Sequence, residues 1–387
     1  MKKQHIIIRI LSIITACALF AGNFTYAQDS EKTDVNALCK AYILMEATTN
    51  EVLYQYCKDL PMPVTSLSKM MILLLLAEQM EKNTVSLDDE VQCSAEVVGV
   101  PGAIIWLENG EKMKLSDLTK AICISSANDA SLAVAEYLGG NQSEFLALMN
   151  ARAEELGMTH TRFTNIVGYD EENNCSTAYD MALLSSALMK YKYFDGYMTT
   201  RLDYVRADTD RTAQLLNTNR LASYYKGIRG IKAGKSDNAG YCIAACAENN
   251  GMTLVAVALG CGEDMHFEAS EYLLDKGFSE YELFTPTVDY LKLPDIPVSG
   301  GVTKKVAVGI RELKSCIIPK GKKGSVTYRY TLLDLLSAEV FEGQTVGEYT
   351  VFLGEKILYS SDIITKKEVS ELTYFICLKR IFGGFFG

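Results

Sequence analysis

Residues 63–70 read Pro63-Val64-Thr65-Ser66-Leu67-Ser68-Lys69-Met70 and run into the apolar octet 70–77, MMILLLLA. Pro61 and Pro63 disfavour helix upstream and Thr65 is placed to cap a first turn, so a helix is expected over 66–82. A helix that is apolar all round has no face for water and belongs in the middle of its domain. Ser66 and Lys69 are three apart and share one face at the N-terminal end of that helix. There, free backbone N–H groups and the positive end of the helix dipole favour developing negative charge. A buried lysine beside a serine sheds its proton readily and activates the hydroxyl as a nucleophile. Ordinary composition produces Ser-x-x-Lys about once or twice by chance in a chain of this length, so the reading depends on partners elsewhere.

Upstream, 41–46 (AYILME) and 52–54 (VLY) read as two strands around a turn at 47–50, and 28–35 (QDSEKTDV) is polar. Residues 1–27 read as an export signal. Lys2, Lys3 and Arg9 form a basic start, 10–21 is mostly apolar, and Thr25-Tyr26-Ala27 is a small-x-small cleavage site before Gln28. One alternative is a membrane anchor, for which the apolar run falls short of about 20 residues. The other is a lipoprotein signal at Ile14-Thr15-Ala16-Cys17, although the apolar segment continues past Cys17. Loss of residues 1–27 removes three cations, so a formal charge of −10 becomes −13, which argues against nucleic acid as a partner. The remaining cysteines are scattered without a Cys-x-x-Cys, and the histidines are only His5, His160 and His266. No metal site and no cofactor is expected, and the thiols read as small hydrophobes.

Downstream, helices are expected from Ser116 through Ile122-Cys123-Ile124 to Ser125-Ser126-Ala127-Asn128-Asp129, from near Asp129 to Gly139-Gly140, over 144–156 and over 181–191. The period then changes: 240–247 and 252–259 read as strands joined by Glu248-Asn249-Asn250-Gly251, and 268–277 as a helix. Strands, then many helices, then strands argue for an α+β fold with an antiparallel sheet rather than a βαβ repeat. Around residue 285 the character shifts, with Pro286, Pro294, Pro297 and Ser299-Gly300-Gly301 reading as a linker. The expected division is therefore a domain over 28–285 and a small all-β domain over 287–365, with strands at 302–310, 325–332 and 347–358. In 371–387, Tyr374, Leu378, Ile381, Phe382 and Phe385 recur at helical spacing with Lys379 and Arg380 on another face. This reads as an amphipathic helix lying on a membrane surface, the alternative being a helix docked on the protein itself.

Three elements make a constellation: Ser66-Leu67-Ser68-Lys69, then Ser126-Ala127-Asn128 at a helix junction, then Lys232-Ala233-Gly234 just before the strand at Gly240. Each is weak alone, but in this order, around a buried helix in an exported chain, they are jointly specific. Further stretches point the same way: 156–163 (LGMTHTRF), 176–181 (STAYDM), Asn217-Thr218-Asn219-Arg220-Leu221, and Gly230-Ile231 before the lysine with Ala239-Gly240-Tyr241-Cys242 after it. On these motifs the chain, over almost its whole length after residue 27, resembles a serine-type D-alanyl-D-alanine carboxypeptidase, a low-molecular-mass penicillin-binding protein. The resemblance implies a β-lactamase/transpeptidase-like domain, the β-rich C-terminal domain and the terminal anchor. It also implies a substrate, the D-Ala-D-Ala end of peptidoglycan stem peptides at the outer face of the cytoplasmic membrane or in the cell wall, and β-lactam antibiotics as covalent ligands.

The resemblance also implies roles. Ser66 forms an acyl-enzyme with Lys69 as base, and Ser126 relays the proton toward the leaving amine while Lys232 holds a positive field. Asn128 bonds the substrate amide and Lys69, Gly234 is a substrate-binding position, and the oxyanion sits between the N–H groups of Ser66 and Lys235. One position departs from the family pattern: Ala233 stands where Lys-Thr-Gly has threonine, whose hydroxyl helps hold the terminal carboxylate. Losing one hydrogen bond to a charged group costs about 1.5–3 kcal/mol, roughly 10- to 150-fold. Ser236 and Arg220 are candidates to compensate; Lys235 either adds a cation for the carboxylate or is a solvated lysine. Two other functions compete. A β-lactamase needs a carboxylate to activate the deacylating water, and no Glu-x-x-Leu-Asn lies between Ser126 and Lys232. A catalytically weakened relative with a binding or regulatory role has Ala233 as its only support.

Overall fold

The computed structural model describes residues 34–207, 209–286 and 293–383. After one helical turn, α1 (Val35–Leu38), β1 (Ala41–Glu46) and β2 (Val52–Tyr56) pair antiparallel. The Glu46 carboxylate shapes their turn by accepting from the backbone N–H groups of Thr48 and Thr49 at 3.0 and 2.8 Å. The buried helix follows as α2 (Lys69–Glu81), with Met70–Leu74, Leu76 and Ala77 excluded from water as the all-round apolar octet requires. A small pair, β3 (Glu90–Gln92) and β4 (Lys112–Lys114), leads to the helices α3 (Leu115–Ser125), α4 (Asn128–Gly139), α5 (Gln142–Glu155), α6 (Ala178–Leu188) and α7 (Asp195–Thr199). A hairpin of β5 (Leu202–Val205) and β6 (Ala213–Leu216) precedes β7 (Ile228–Ser236), β8 (Gly240–Asn249), β9 (Met252–Cys261) and α8 (Met265–Glu280).

The main sheet is antiparallel, in the order β2-β1-β9-β8-β7. Its central strands are buried on both faces, and alternation sorts their side chains between two cores. Ile43, Met45, Ala244, Val255 and Val257 face the helical layer built around α2. Leu44, Ala245, Ala247, Ala256 and Ala258 face α8. Small residues let α8 approach closely: a Cβ on Gly277 would lie 2.6 Å from Leu254 and 2.7 Å from Leu44. The buried cysteines Cys123, Cys242 and Cys246 fill these cores as small hydrophobes.

Beyond α8, β10 (Tyr281–Phe284) pairs with β14 (Cys316–Pro319). The remaining strands are β11 (Ile296–Ser299), β12 (Lys305–Val306), β13 (Val308–Ile310), β15 (Val326–Leu332), β16 (Leu336–Ser337), β17 (Thr345–Leu353) and β18 (Lys356–Thr365). They form a three-stranded sheet, β12-β11-β16, and a four-stranded sheet, β13-β18-β17-β15, around Val298, Val346, Tyr349, Val351 and Ile363. The described residues end in α9 (Tyr374–Gly383).

Several sequence expectations are corrected. Thr65 does not cap the buried helix: Thr65–Ser68 forms a 3-10 turn ahead of it, and the Thr65 hydroxyl is buried without a partner. The expected strand at 347–358 is a hairpin, because Gly354 at φ +61° turns the chain between β17 and β18. The expected strand at 302–310 is likewise interrupted and starts only at Lys305. Pro297 lies within β11 rather than in a linker, and pairs with Lys305. Lys232-Ala233-Gly234 does precede the strand at Gly240 but itself lies inside a strand, β7, which was not expected; two glycines, an arginine and two lysines in IRGIKAGKS hide its strand character. Residues 1–33, including the expected signal, and Phe385 of the expected terminal helix lie outside the described residues.

Candidate active site

Ser66 sits in the 3-10 turn and Lys69 is the first residue of α2. Residues three apart eclipse in a 3-10 turn, and the Lys69 ammonium lies 3.3 Å from the Ser66 hydroxyl oxygen. Lys69 also donates to the Val167 carbonyl at 2.7 Å. Lys69 is only 1% exposed, and burial, reinforced by the nearby Lys232 cation, holds its pKa well below the ordinary lysine value. The turn is packed from above by Gly168, at φ +90°, where a Cβ would come within 1.7 Å of the Thr65 carbonyl oxygen.

The second wall is the junction of α3 and α4. α3 ends where Ser126 turns left-handed at φ +62°, and Asn128 opens α4. The Ser126 hydroxyl is buried and has no hydrogen-bond partner. The Asn128 side chain donates to the Pro101 carbonyl at 2.6 Å and to the Tyr169 hydroxyl at 3.3 Å, not to the groups expected from sequence. Lys232 reaches across from β7 to the last-turn carbonyls of α3, donating to Ile122 and, at 3.3 Å, to Cys123. A cation there complements the C-terminal end of the helix dipole. Lys232 is fully buried at the end of α3 rather than lining the cleft, and burial brings its pKa down to about 8.

The third wall is β7, an edge strand whose outer backbone groups are open to the cleft. Gly234 has to be small: a Cβ there would lie 2.7 Å from the Thr65 hydroxyl and 3.0 Å from the Ser66 Cβ. Ala233 is buried in the core on the α8 side while contributing to the cleft wall. Lys235 lies over the Tyr241 ring at 5.3 Å, on the rim. Ser236 donates to Asp170 at 2.8 Å and accepts from the Ala239 N–H, so its hydroxyl closes the β7–β8 turn.

Together Ser66, Ser126, Asn128, Gly234, Lys235 and Ser236 line one cleft of 1190 Å³, with Lys69 and Lys232 beneath its floor. Several lining residues were given no role by sequence. Tyr169 and Asp170 belong to a loop that crosses the cleft, Tyr169 donating to Pro101 at 2.9 Å. Thr218 is tied to the Ser126 junction through its N–H to the Ile124 carbonyl, and its hydroxyl is buried without a partner. Arg220, unlike these, was a sequence candidate for holding the carboxylate, and it enters the same cleft, bonded to Asp264 at 2.6 Å. His266 stacks on Tyr241, and burial lowers its pKa to about 4, leaving it neutral. The Asn217-Thr218-Asn219-Arg220 run was visible in the sequence, but nothing in it told which side chains face the cleft. Among the described residues, no group of three His, Cys, Asp or Glu is arranged to hold a metal.

Comparison with known proteins gives two family matches: D-alanyl-D-alanine carboxypeptidase over residues 26–262, and the penicillin-binding protein 5 C-terminal domain over 281–371. The chain is similar to D-alanyl-D-alanine carboxypeptidase DacF of Bacillus subtilis, 32% identical over 367 residues, covering 94% of each chain. It is similar in structure to penicillin-binding protein 5 from Haemophilus influenzae, with a TM-score of 0.78, 25% identity, and coverage of 87% of this chain and 98% of the other. It is also similar to penicillin-binding protein D2 from Listeria monocytogenes in its cefotaxime-bound form, with a TM-score of 0.55, 30% identity, and coverage of 62% of this chain and 97% of the other.

Proposed function

The chain belongs to the D-alanyl-D-alanine carboxypeptidase family, and we propose that it removes the terminal D-alanine of peptidoglycan stem peptides through an acyl-enzyme on Ser66. The observation that carries this reading is the Lys69 amine, dry and depressed in pKa, 3.3 Å from the Ser66 hydroxyl. Neutral Lys69 takes the Ser66 proton as the oxygen attacks the penultimate D-Ala carbonyl carbon. The oxyanion forms against the backbone N–H groups of Ser66 and Lys235, beside the Gly234 position that must stay free of a side chain. The proton passes through Ser126 to the departing D-alanine amine, and the C–N bond breaks. Water then attacks the ester carbon, its proton returning through Lys69, and Ser66 is regenerated with release of the shortened peptide. Asn128 exchanges its contacts to Pro101 and Tyr169 for the substrate amide.

The terminal carboxylate needs a grip that Ala233 lacks. Thr218 and Ser126 offer two buried hydroxyls with no partner in the cleft, and Arg220 brings a cation to it. Ser236 is less suited, since its hydroxyl is held by Asp170 and Ala239. This supports a working enzyme over a weakened relative. Penicillins present a strained amide and a carboxylate to the same groups and are proposed to trap Ser66.

Residues 1–27 are proposed to export the chain, placing it at the outer face of the cytoplasmic membrane. The 371–387 segment is proposed to rest on that membrane, with Tyr374 and Phe375 of α9 exposed. No described helix is long and apolar enough to cross a membrane. Deleting 371–387 is expected to shift the protein from the membrane to the soluble fraction; full-length protein already soluble after lysis would remove the idea.

The deciding experiment is D-alanine release from an N-acylated L-Lys-D-Ala-D-Ala tripeptide by the full chain and by Ser66→Ala. Release that vanishes in the variant supports the reading; release that persists overturns it.

A further inference from the structure

Trp106 is the only tryptophan in the chain, and it lies 64% exposed on the surface. Its backbone is left-handed, at φ +56°, where a bulky side chain is an outlier. Neighbouring groups hold it there. Ile105 and Leu107 are buried, and their N–H groups both donate to the buried Asp129 carboxylate, at 3.0 and 3.1 Å. The Trp106 carbonyl accepts from Arg211 at 2.7 Å. The backbone on both sides is thus tied down while the indole points outward. A packing role does not account for this, because the ring is exposed.

The position of this ring relates it to the cleft. Three and four residues upstream, Ala103 and Gly102 line the cleft, and the Ala103 carbonyl accepts the Asn128 N–H at 2.6 Å. Arg211 belongs to the β5–β6 connection, and that hairpin ends in Leu216, which also lines the cleft. An exposed indole on a fixed backbone therefore stands outside the cleft, where segments that lead into two parts of its wall meet.

We propose that Trp106 is a stacking platform for an N-acetylhexosamine ring of the glycan strand that carries the stem peptide. The inference rests on the proposed stem-peptide substrate, whose remote end is joined to such a strand. A pyranose presents a face of C–H bonds that covers an indole plane, and a residue whose backbone is already fixed has less freedom to lose on binding. The fringe is polar: Arg211 and the exposed Glu108, paired at 3.4 Å, offer donors and acceptors to sugar hydroxyl and acetamido groups. One indole is too small for a protein interface. The formal charge of −10 disfavours an anionic polymer as the occupant, whereas a neutral sugar is indifferent to it.

A single tryptophan gives a direct readout. Titrating the full chain with a tetramer of β-1,4-linked N-acetylglucosamine is expected to change the tryptophan emission saturably. D-alanine release from a disaccharide-linked pentapeptide is expected to show a KM about three- to tenfold below that of the free pentapeptide. Trp106→Ala is expected to remove that difference, with Trp106→Phe retaining part of it and turnover of free pentapeptide unchanged. An unchanged emission with equal KM values in both proteins would overturn the platform. So would an emission change produced by anionic phospholipid vesicles and not by the tetramer. Failure to cleave either pentapeptide would count against the carboxypeptidase reading, while the emission titration would still decide the platform.

Discussion

The floor of the cleft and its mouth are built by different rules. The floor is dry and short-range: Ser66 and Lys69 share one turn, and Lys232 is plugged into the end of α3. Each group there has one environment, and that environment sets its protonation. The mouth is wet and assembled from distant segments: Arg220 with Asp264, Tyr169 with Pro101, Ser236 with Asp170. The difference indicates that proton transfer is fixed by burial, while selection of the peptide is spread over several weak contacts. Substitutions in the floor should therefore act steeply and through pH, and those at the mouth shallowly and through substrate structure.

The largest effect is expected at Lys69. Lys69→Ala should lower acylation by roughly 10²–10⁴-fold while leaving the cleft shape intact, checked by the rate of labelled-penicillin incorporation. The pH profile of kcat/KM sharpens the same point. Activity rises with pH as the depressed Lys69 loses its proton, on a limb well below the ordinary lysine value. A fall is expected as Lys232, brought down to about 8 by burial, loses the charge it holds against the α3 carbonyls. A single rising limb would show that the Lys232 charge is not required.

Gly168 should come next, because floor and crossing loop meet there. Gly168→Ala asks alanine to adopt φ +90° and to enter the space of the Thr65 carbonyl. The backbone conformation alone costs about 1–2 kcal/mol. A fall in Tm together with lost penicillin labelling is expected; an unchanged Tm would mean that the loop adjusts freely.

The same contrast decides what was legible in the sequence. Spacing is a local property, so Ser66–Lys69, Ser126–Asn128 and Lys232–Gly234 were readable, as was the all-round apolar helix that holds the first pair. Antiparallel strands around a helical layer were readable from the change in period. The strand character of β7 was not, because glycines and lysines weaken its pattern and its ladder with β8 supplies what propensity does not. Thr218, Arg220, Tyr169 and Asp170 carry no spacing relation to Ser66; only the folded chain brings them to one cleft. The left-handed backbone at Thr65 and Ser126 was equally hidden, since neither residue type announces it.

A smaller effect is expected from Thr218. If its hydroxyl grips the terminal carboxylate, Thr218→Val should lower kcat/KM on the free-acid peptide by roughly 10- to 150-fold. Activity on the corresponding C-terminal amide should be little changed, because no carboxylate is there to lose. Adding Ala233→Thr to that variant should restore part of the loss, by returning a hydroxyl from the opposite wall. Equal losses on acid and amide would instead assign Thr218 to packing at the α3 junction.

The smallest effect is expected at Lys235. Its ammonium lies over Tyr241 at the rim, where solvent screens it and an ion pair is worth about 0–1 kcal/mol. Lys235→Ala leaves the backbone N–H that is proposed to face the oxyanion, so kcat should hold while KM for the free acid rises no more than about fivefold. That rise should shrink as salt is added, since an exposed charge acts through a screened field. A large, salt-independent loss would move Lys235 from the mouth to the floor in this scheme, and would make it rather than Thr218 the group that replaces the missing threonine.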